Sequence, residues 1–139
     1  MTDSGISIMI VDNDQVNSFV LKNIITRNYA DAKVELLPDG AEALNELKRL
    51  DSSAAVFPAV ILLDIYMPVM DGFEFLDEYM KEFAHKESIV FAMSNSLIKA
   101  DQQRANEYEV VKGFITKPLI YNNIEFIIET YLQERRSGR

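Results

Sequence analysis

Four apolar runs in this chain end in groups able to do chemistry. Asp12, Asn13 and Asp14 follow the run 6–11, and Asp64 follows 59–63. Ser94, Asn95 and Ser96 follow 89–93, and Thr116, Lys117 and Pro118 follow 110–115. The types are carboxylates, hydroxyls and a lysine. Clustered carboxylates repel, so a site that gathers them either holds a proton or recruits a hard cation. Mg²⁺ suits such a set, because it takes oxygen ligands in octahedral geometry and keeps waters and a phosphoryl oxygen in its shell. A carboxylate nucleophile beside that metal, with a lysine to neutralise the transferred group, is an arrangement for phosphoryl transfer. Other chemistries are closed off: there is no cysteine, and the one histidine, His85, cannot build a metal cluster.

These groups meet only if the elements between them bring them together. The runs 6–11, 59–63 and 89–93 are almost continuously apolar, as expected of central parallel strands covered on both faces. The run 32–37 alternates more, which suits an edge strand, and 110–115 supplies a fifth strand. Between them lie apolar stripes at helical spacing: Val16, Phe19, Val20 and Ile24, then Ala43, Leu44, Leu47 and Leu50. Phe73, Leu76, Tyr79, Met80 and Phe83 give the next stripe, and Ile120, Ile124, Ile127, Ile128 and Tyr131 the last. The segment 97–108 is weaker, with Ala100, Ala105 and Tyr108 as its inward candidates, and reads as a loosely held helix. Asp14 is placed to cap the first helix, and Pro38, Asp39 and Gly40 form a turn before the second. Residues 51–55 read as a loop and 134–139 as a frayed tail. Five strand–helix pairs imply right-handed crossovers and an α/β fold, a parallel sheet with helices on both sides. In such open sheets ligands bind beyond the carboxyl ends of the strands, which puts all four groups on one rim.

Composition narrows the partners. A chain of 139 residues holds one domain, expected over 1–139 with a core of about 5–133. Its 14 Lys and Arg against 22 Asp and Glu leave a net charge of -8, which disfavours nucleic acid and anionic membranes. The first residues lack the basic stretch of a signal peptide, and the apolar segment 56–63 is too short to span a bilayer. The expectation is a soluble, cytoplasmic domain.

The residues 61–76 carry a more specific signature. Asp64 ends a buried strand, Met67 and Pro68 follow it, and Met70, Asp71 and Gly72 open the next helix. With Val11, Asp12, Ser94, Lys117 and Pro118 in order along nearly the whole chain, the sequence resembles the receiver domains of two-component response regulators, in the stand-alone form. The resemblance implies a flavodoxin-like (βα)5 fold with strand order 2-1-3-4-5. It implies that Asp64 accepts a phosphoryl group from a sensor histidine kinase or phosphotransfer protein, with Mg²⁺ as cofactor. Asp12, position 13, Asp64 and the backbone carbonyl of Tyr66 would hold the metal. Ser94 and Lys117 would bind the phosphoryl oxygens. Ser94 and Phe114 would form the switch, and the Lys117–Pro118 bond would be cis. Signalling would pass through the face of the fourth helix, fifth strand and fifth helix, to a downstream protein or a second copy of the chain. Phe126 and Tyr121 lie off the main stripe of the last helix and would contribute to that face. The chain would then be no enzyme toward small molecules.

Two departures matter. The family usually has a second acid after the first strand; here it is Asn13, which offers an oxygen but no charge. Asp14 is a further candidate ligand, though equally suited to capping a helix. Tyr66 is bulkier than the family's common choice, and the expected consequence is a ring that shields the acyl phosphate from water. Rival readings follow from the same residues. Asn13 favours a docking module that is never phosphorylated. Asp12, Asn13 and Asp14 after an apolar run also resemble the nucleophile motif of haloacid-dehalogenase-type phosphatases. That motif needs an acidic pair at a strand end after the lysine, and the chain offers only Glu125, Glu129 and Glu134 on a helical stretch. His85 reads as a loop residue, and Met67, Met70 and Met80 as packing around the third helix.

If the missing charge weakens the metal site, Asn13→Asp should raise Mg²⁺ affinity well above that of the parent chain. Titration of the intrinsic tyrosine fluorescence with Mg²⁺ checks this; equal affinities would show that the amide costs nothing.

Overall fold

The apolar runs form five strands, each followed by a helix: β1 (Ser7–Val11), α1 (Gln15–Asn28), β2 (Lys33–Leu37), α2 (Gly40–Ser52), β3 (Val60–Asp64), α3 (Gly72–Phe83), β4 (Ile89–Ser94), α4 (Lys99–Asn106), β5 (Val111–Thr116) and α5 (Tyr121–Arg136). The structure is a computed structural model and describes residues 5–137. Residues 1–4 and 138–139 of the expected domain lie outside this range. The sheet is parallel throughout, in the order β2-β1-β3-β4-β5 expected of the flavodoxin-like arrangement. Strand bounds fall within one residue of those read from the sequence.

Alternation along each strand divides the core in two. Met9, Val11, Ile61, Leu63, Val90 and Ala92 face α2, α3 and α4. Ile8, Ile10, Val60, Leu62, Ile89, Phe91 and Met93 face α1 and α5. All five residues of β3 are buried, and so are all six of β4. The edge strand β2 buries only Leu37, in keeping with its mixed sequence. Helix α3 is the most firmly seated, burying Phe73, Phe75, Leu76, Tyr79 and Phe83, each worth roughly 1.5–3 kcal/mol. The methionines behave as packing residues: Met67 is buried and Met70 and Met80 lie against the same core.

The first helix does not follow its apolar stripe. Ser18, Leu21 and Ile25 point inward, while Val16 is 75% exposed, Phe19 59% and Val20 51%. Apolar residues occupy both sides of this helix. Asp14 caps it by accepting the Asn17 N–H at 3.0 Å. Ile120 is likewise exposed, because it stands at the N-cap of α5 rather than within the helix. In the fourth helical segment Ala100 is exposed, Ala105 buried and Tyr108 half-buried. Two boundaries also differ. Helix α2 takes in Asp51 and Ser52 before the loop, and α5 runs to Arg136, so residues 134–136 are helical rather than frayed.

Glycine is required where α3 meets the loop after β3. A Cβ on Gly72 would lie 2.8 Å from the Ile65 Cα and 2.9 Å from the Asp64 carbonyl oxygen, both backbone atoms. One on Gly40 would meet only the Met70 side chain, whose sulfur lies 2.9 Å away and can rotate aside. Gly72→Ala should therefore cost about 1–3 kcal/mol in urea unfolding, and Gly40→Ala distinctly less. Equal losses would refute this account of the contact.

Candidate functional site

The carboxyl ends of β1, β3 and β5 converge on one buried cluster. Asp12 immediately follows β1 and is fully buried; Asp64 closes β3 and is 4% exposed. Lys117, one residue past β5, reaches between them. Its Nζ lies 2.8 Å from Asp12 Oδ2 and 3.4 Å from Asp64 Oδ2, with 6% of its side chain exposed. β5 is separated from β3 by β4, so the lysine must be aimed across β4. The Lys117 N–H donates to the Ser94 carbonyl at 2.8 Å, which ties the lysine to the end of β4; the Lys117–Pro118 peptide is cis, as the resemblance implied.

Neighbouring groups fix each carboxylate. Asp12 Oδ1 accepts the Asp14 N–H at 2.9 Å, and its Oδ2 accepts from Asn17 Nδ2 at 3.2 Å. The Asp12 carbonyl accepts from Gln15 Nε2 at 2.9 Å. Asp64 Oδ1 accepts the Tyr66 N–H at 3.1 Å, leaving Oδ2 to the lysine. Burial, followed by the nearby charge of Asp12, holds the Asp64 carboxyl above the ordinary range; Lys117 and the Tyr66 N–H pull the other way. For Lys117, burial alone would favour the neutral amine. The hydrogen bonds and charges of Asp12 and Asp64 outweigh it, so its pKa is raised and the ammonium persists.

The remaining candidates divide. Ser94 is 1% exposed at the end of β4, and its Oγ accepts the Ser96 N–H at 3.2 Å. Phe114, beside Ala92 in the sheet, is half-buried and packs on the core facing α3. Asn13 is exposed beside the cluster. The Asp14 carboxylate caps α1 through one of its oxygens. The ring of Tyr66 is 52% exposed, and its hydroxyl donates to Asp101 Oδ2 on α4. Two contributors escaped the sequence reading, Asn17 and Asp101. Asn17 lies one turn into α1, where its spacing from Asp12 is the only signal. Asp101 is 35 residues from Tyr66, with no local pattern linking them. His85 is exposed before β4, as expected.

What the cluster can do follows from its donors. Among the described residues no group of three or more carboxylate, histidine or cysteine side chains is placed to hold a metal. The two carboxylates that the structure brings together, Asp12 and Asp64, are a donor set of the kind that suits Mg²⁺, which usually binds one or two carboxylates and completes its shell with waters and phosphoryl oxygens. Both carboxylates have their oxygens engaged and both are buried, Asp12 fully and Asp64 with 4% exposure. Glu125 and Glu129 are exposed on α5, so the phosphatase reading lacks its acidic pair at a strand end.

Comparison with known proteins agrees. The family model for the response regulator receiver domain matches residues 8–129. A two-component response regulator from Cytophaga hutchinsonii superposes with a TM-score of 0.84 at 28% identity, over 91% of this chain and 96% of that one. The chemotaxis protein CheY of Listeria monocytogenes is 30% identical over 81% of this chain and 87% of its own length. The hybrid signal transduction histidine kinase L of Dictyostelium discoideum is 29% identical over 89% of this chain, which spans only 7% of that protein.

With Lys117 as the shared counter-charge, its removal and that of Asp64 should have opposite effects. In metal-free buffer at neutral pH, Lys117→Met should lower stability by about 3 kcal/mol, the cost of stranding a buried charge. Asp64→Asn should raise it, because a carboxyl held above its ordinary range by burial and a neighbouring charge destabilises the folded chain when ionised at neutral pH. Urea midpoints read both; a stabilising Lys117→Met would overturn the charge assignment.

Proposed function

The chain belongs to the response regulator receiver domain family, and we propose that it acts as a phosphorylation-dependent switch with Asp64 as the acceptor. The observation that carries this reading is the Asp64 carboxylate at the end of β3, beside Asp12 and in contact with the Lys117 ammonium. The donor is a sensor histidine kinase or a phosphotransfer protein; a histidine kinase already carries a domain similar to this one.

Asp64, Asp12, the Tyr66 carbonyl and Asn13 are the residues that would hold Mg²⁺, which supplies charge neutralisation to the phosphoryl oxygens. A carboxylate oxygen of Asp64 forms the new bond to phosphorus as the phosphorus–nitrogen bond of phosphohistidine breaks, and the imidazole leaves with that electron pair. Lys117 neutralises the acquired charge, and the Ser94 hydroxyl hydrogen-bonds a phosphoryl oxygen. Drawing Ser94 toward the phosphoryl opens room for Phe114 to turn inward, which reshapes the face of α4, β5 and α5. Phe126 and Tyr121, 51% and 43% exposed on α5, offer contact area there to a downstream protein or a second copy. Among the described residues no helix is long and apolar enough to cross a membrane, which is compatible with work in the cytoplasm. No small-molecule turnover is expected.

The test is chemical. After incubation with Mg²⁺ and acetyl phosphate, intact mass should rise by one phosphoryl group, and Asp64→Asn should abolish the gain. No gain in the parent chain would favour the docking module that Asn13 suggests.

A further inference from the structure

Helix α4 is held in an unusual way. Of its residues only Ala105 is buried, and its N-cap, Ile98, gives no side-chain hydrogen bond. Apolar burial contributes little, so contacts from outside must fix the helix. Three residues make such contacts: Arg104, Tyr108 and Tyr66. The Arg104 guanidinium lies 4.1 Å from the Phe73 ring centroid. Tyr108, just past the helix, stacks on Phe73 at 6.5 Å and donates its hydroxyl to Asp77 Oδ1 at 2.6 Å. The third differs in origin: Tyr66 belongs to the loop that follows the acceptor, and its hydroxyl donates to Asp101 in the first turn of α4.

Tyr66 is bound at both ends. Its N–H donates to Asp64 Oδ1 at 3.1 Å, and its phenol tip is tied to α4. We propose that Tyr66 is a strut coupling the acceptor carboxylate to helix α4, with Asp101 as the positioning residue at its far end. The proposal rests on Asp64 being the acceptor. A group added to the Asp64 carboxylate alters the oxygen to which the Tyr66 amide donates. A tyrosine has only two side-chain torsions and a rigid ring, so it passes on a backbone displacement rather than absorbing it. The helix that receives it has little burial to resist. This route runs through the β3–α3 loop and is separate from Ser94 and Phe114.

Asp101 has a rival role, because a carboxylate in the first helical turn also favours the helix dipole. Tyr66→Phe distinguishes the two, since it breaks the same bond without touching α4. Amide hydrogen exchange on the full chain should quicken about two- to tenfold at residues 102–106 in both Asp101→Ala and Tyr66→Phe. The double variant should exchange no faster than the faster single. Unchanged exchange in Tyr66→Phe, or additive effects in the double variant, would overturn the strut.

Coupling is read with beryllofluoride and Mg²⁺ as the phosphoryl mimic. In the parent chain, amide shifts should appear around Asp64, Ser94 and Lys117 and also across 99–106. Asp101→Ala should keep the first set and lose at least half of the second. Full retention across 99–106 in both single variants would overturn the coupling. No shift around Asp64 in the parent chain would overturn the acceptor reading itself, a failure told apart because the exchange arm needs no mimic.

Discussion

The Lys117 ammonium stands between two buried carboxylates, and much of the structure exists to make that position tenable. Asp12 and Asp64 are side by side because β1 and β3 are neighbours, and both are buried because the strands they terminate are covered on both faces. Two like charges in that setting need a cation at close range. The chain supplies it from the far side of β4, which makes the sheet order, the tie from Lys117 to the Ser94 carbonyl and the turn into α5 parts of one electrostatic solution.

The loop after β3 is constrained in its own right. Asp64 is followed within a few residues by the backbone approach that excludes a Cβ at Gly72 and by Val69 in a left-handed conformation at φ 70°. That conformation is costly for a β-branched residue. Asp71 and Glu74 then close the loop with a reciprocal capping box, each side chain accepting a backbone N–H of the other at 2.9 Å. One segment thus presents the Asp64 carboxylate, starts the best-packed helix and holds Tyr66 outward against Asp101 of α4.

The strands and the rim that gathers Asp12, Asp64 and Lys117 were legible in the sequence because the signals behind them are local and chemically distinctive. An apolar β-branched run has few alternatives, and an aspartate closing such a run is rarely incidental. The orientation of α1 was not legible. Both of its faces carry apolar residues, and the buried one includes Ser18 in place of a larger side chain. The capping by Asp14 was one of two roles its position allowed, and the geometry shows the cap. The Tyr66–Asp101 bond joins residues with no shared periodicity, so nothing short of the tertiary fold brings it into view.

The division of the interior by a single sheet has a consequence for how substitutions combine. Leu62 and Leu63 are consecutive, yet one packs with Ile124, Ile127 and Ile128 of α5 and the other with Leu44 and Leu47 of α2 and Leu76 of α3. Residues sharing no partners respond nearly independently when altered, whereas those in one cluster do not. Neighbours along a strand therefore share no side-chain cluster and are coupled through the backbone between them, whereas compensating changes are to be sought within one cluster.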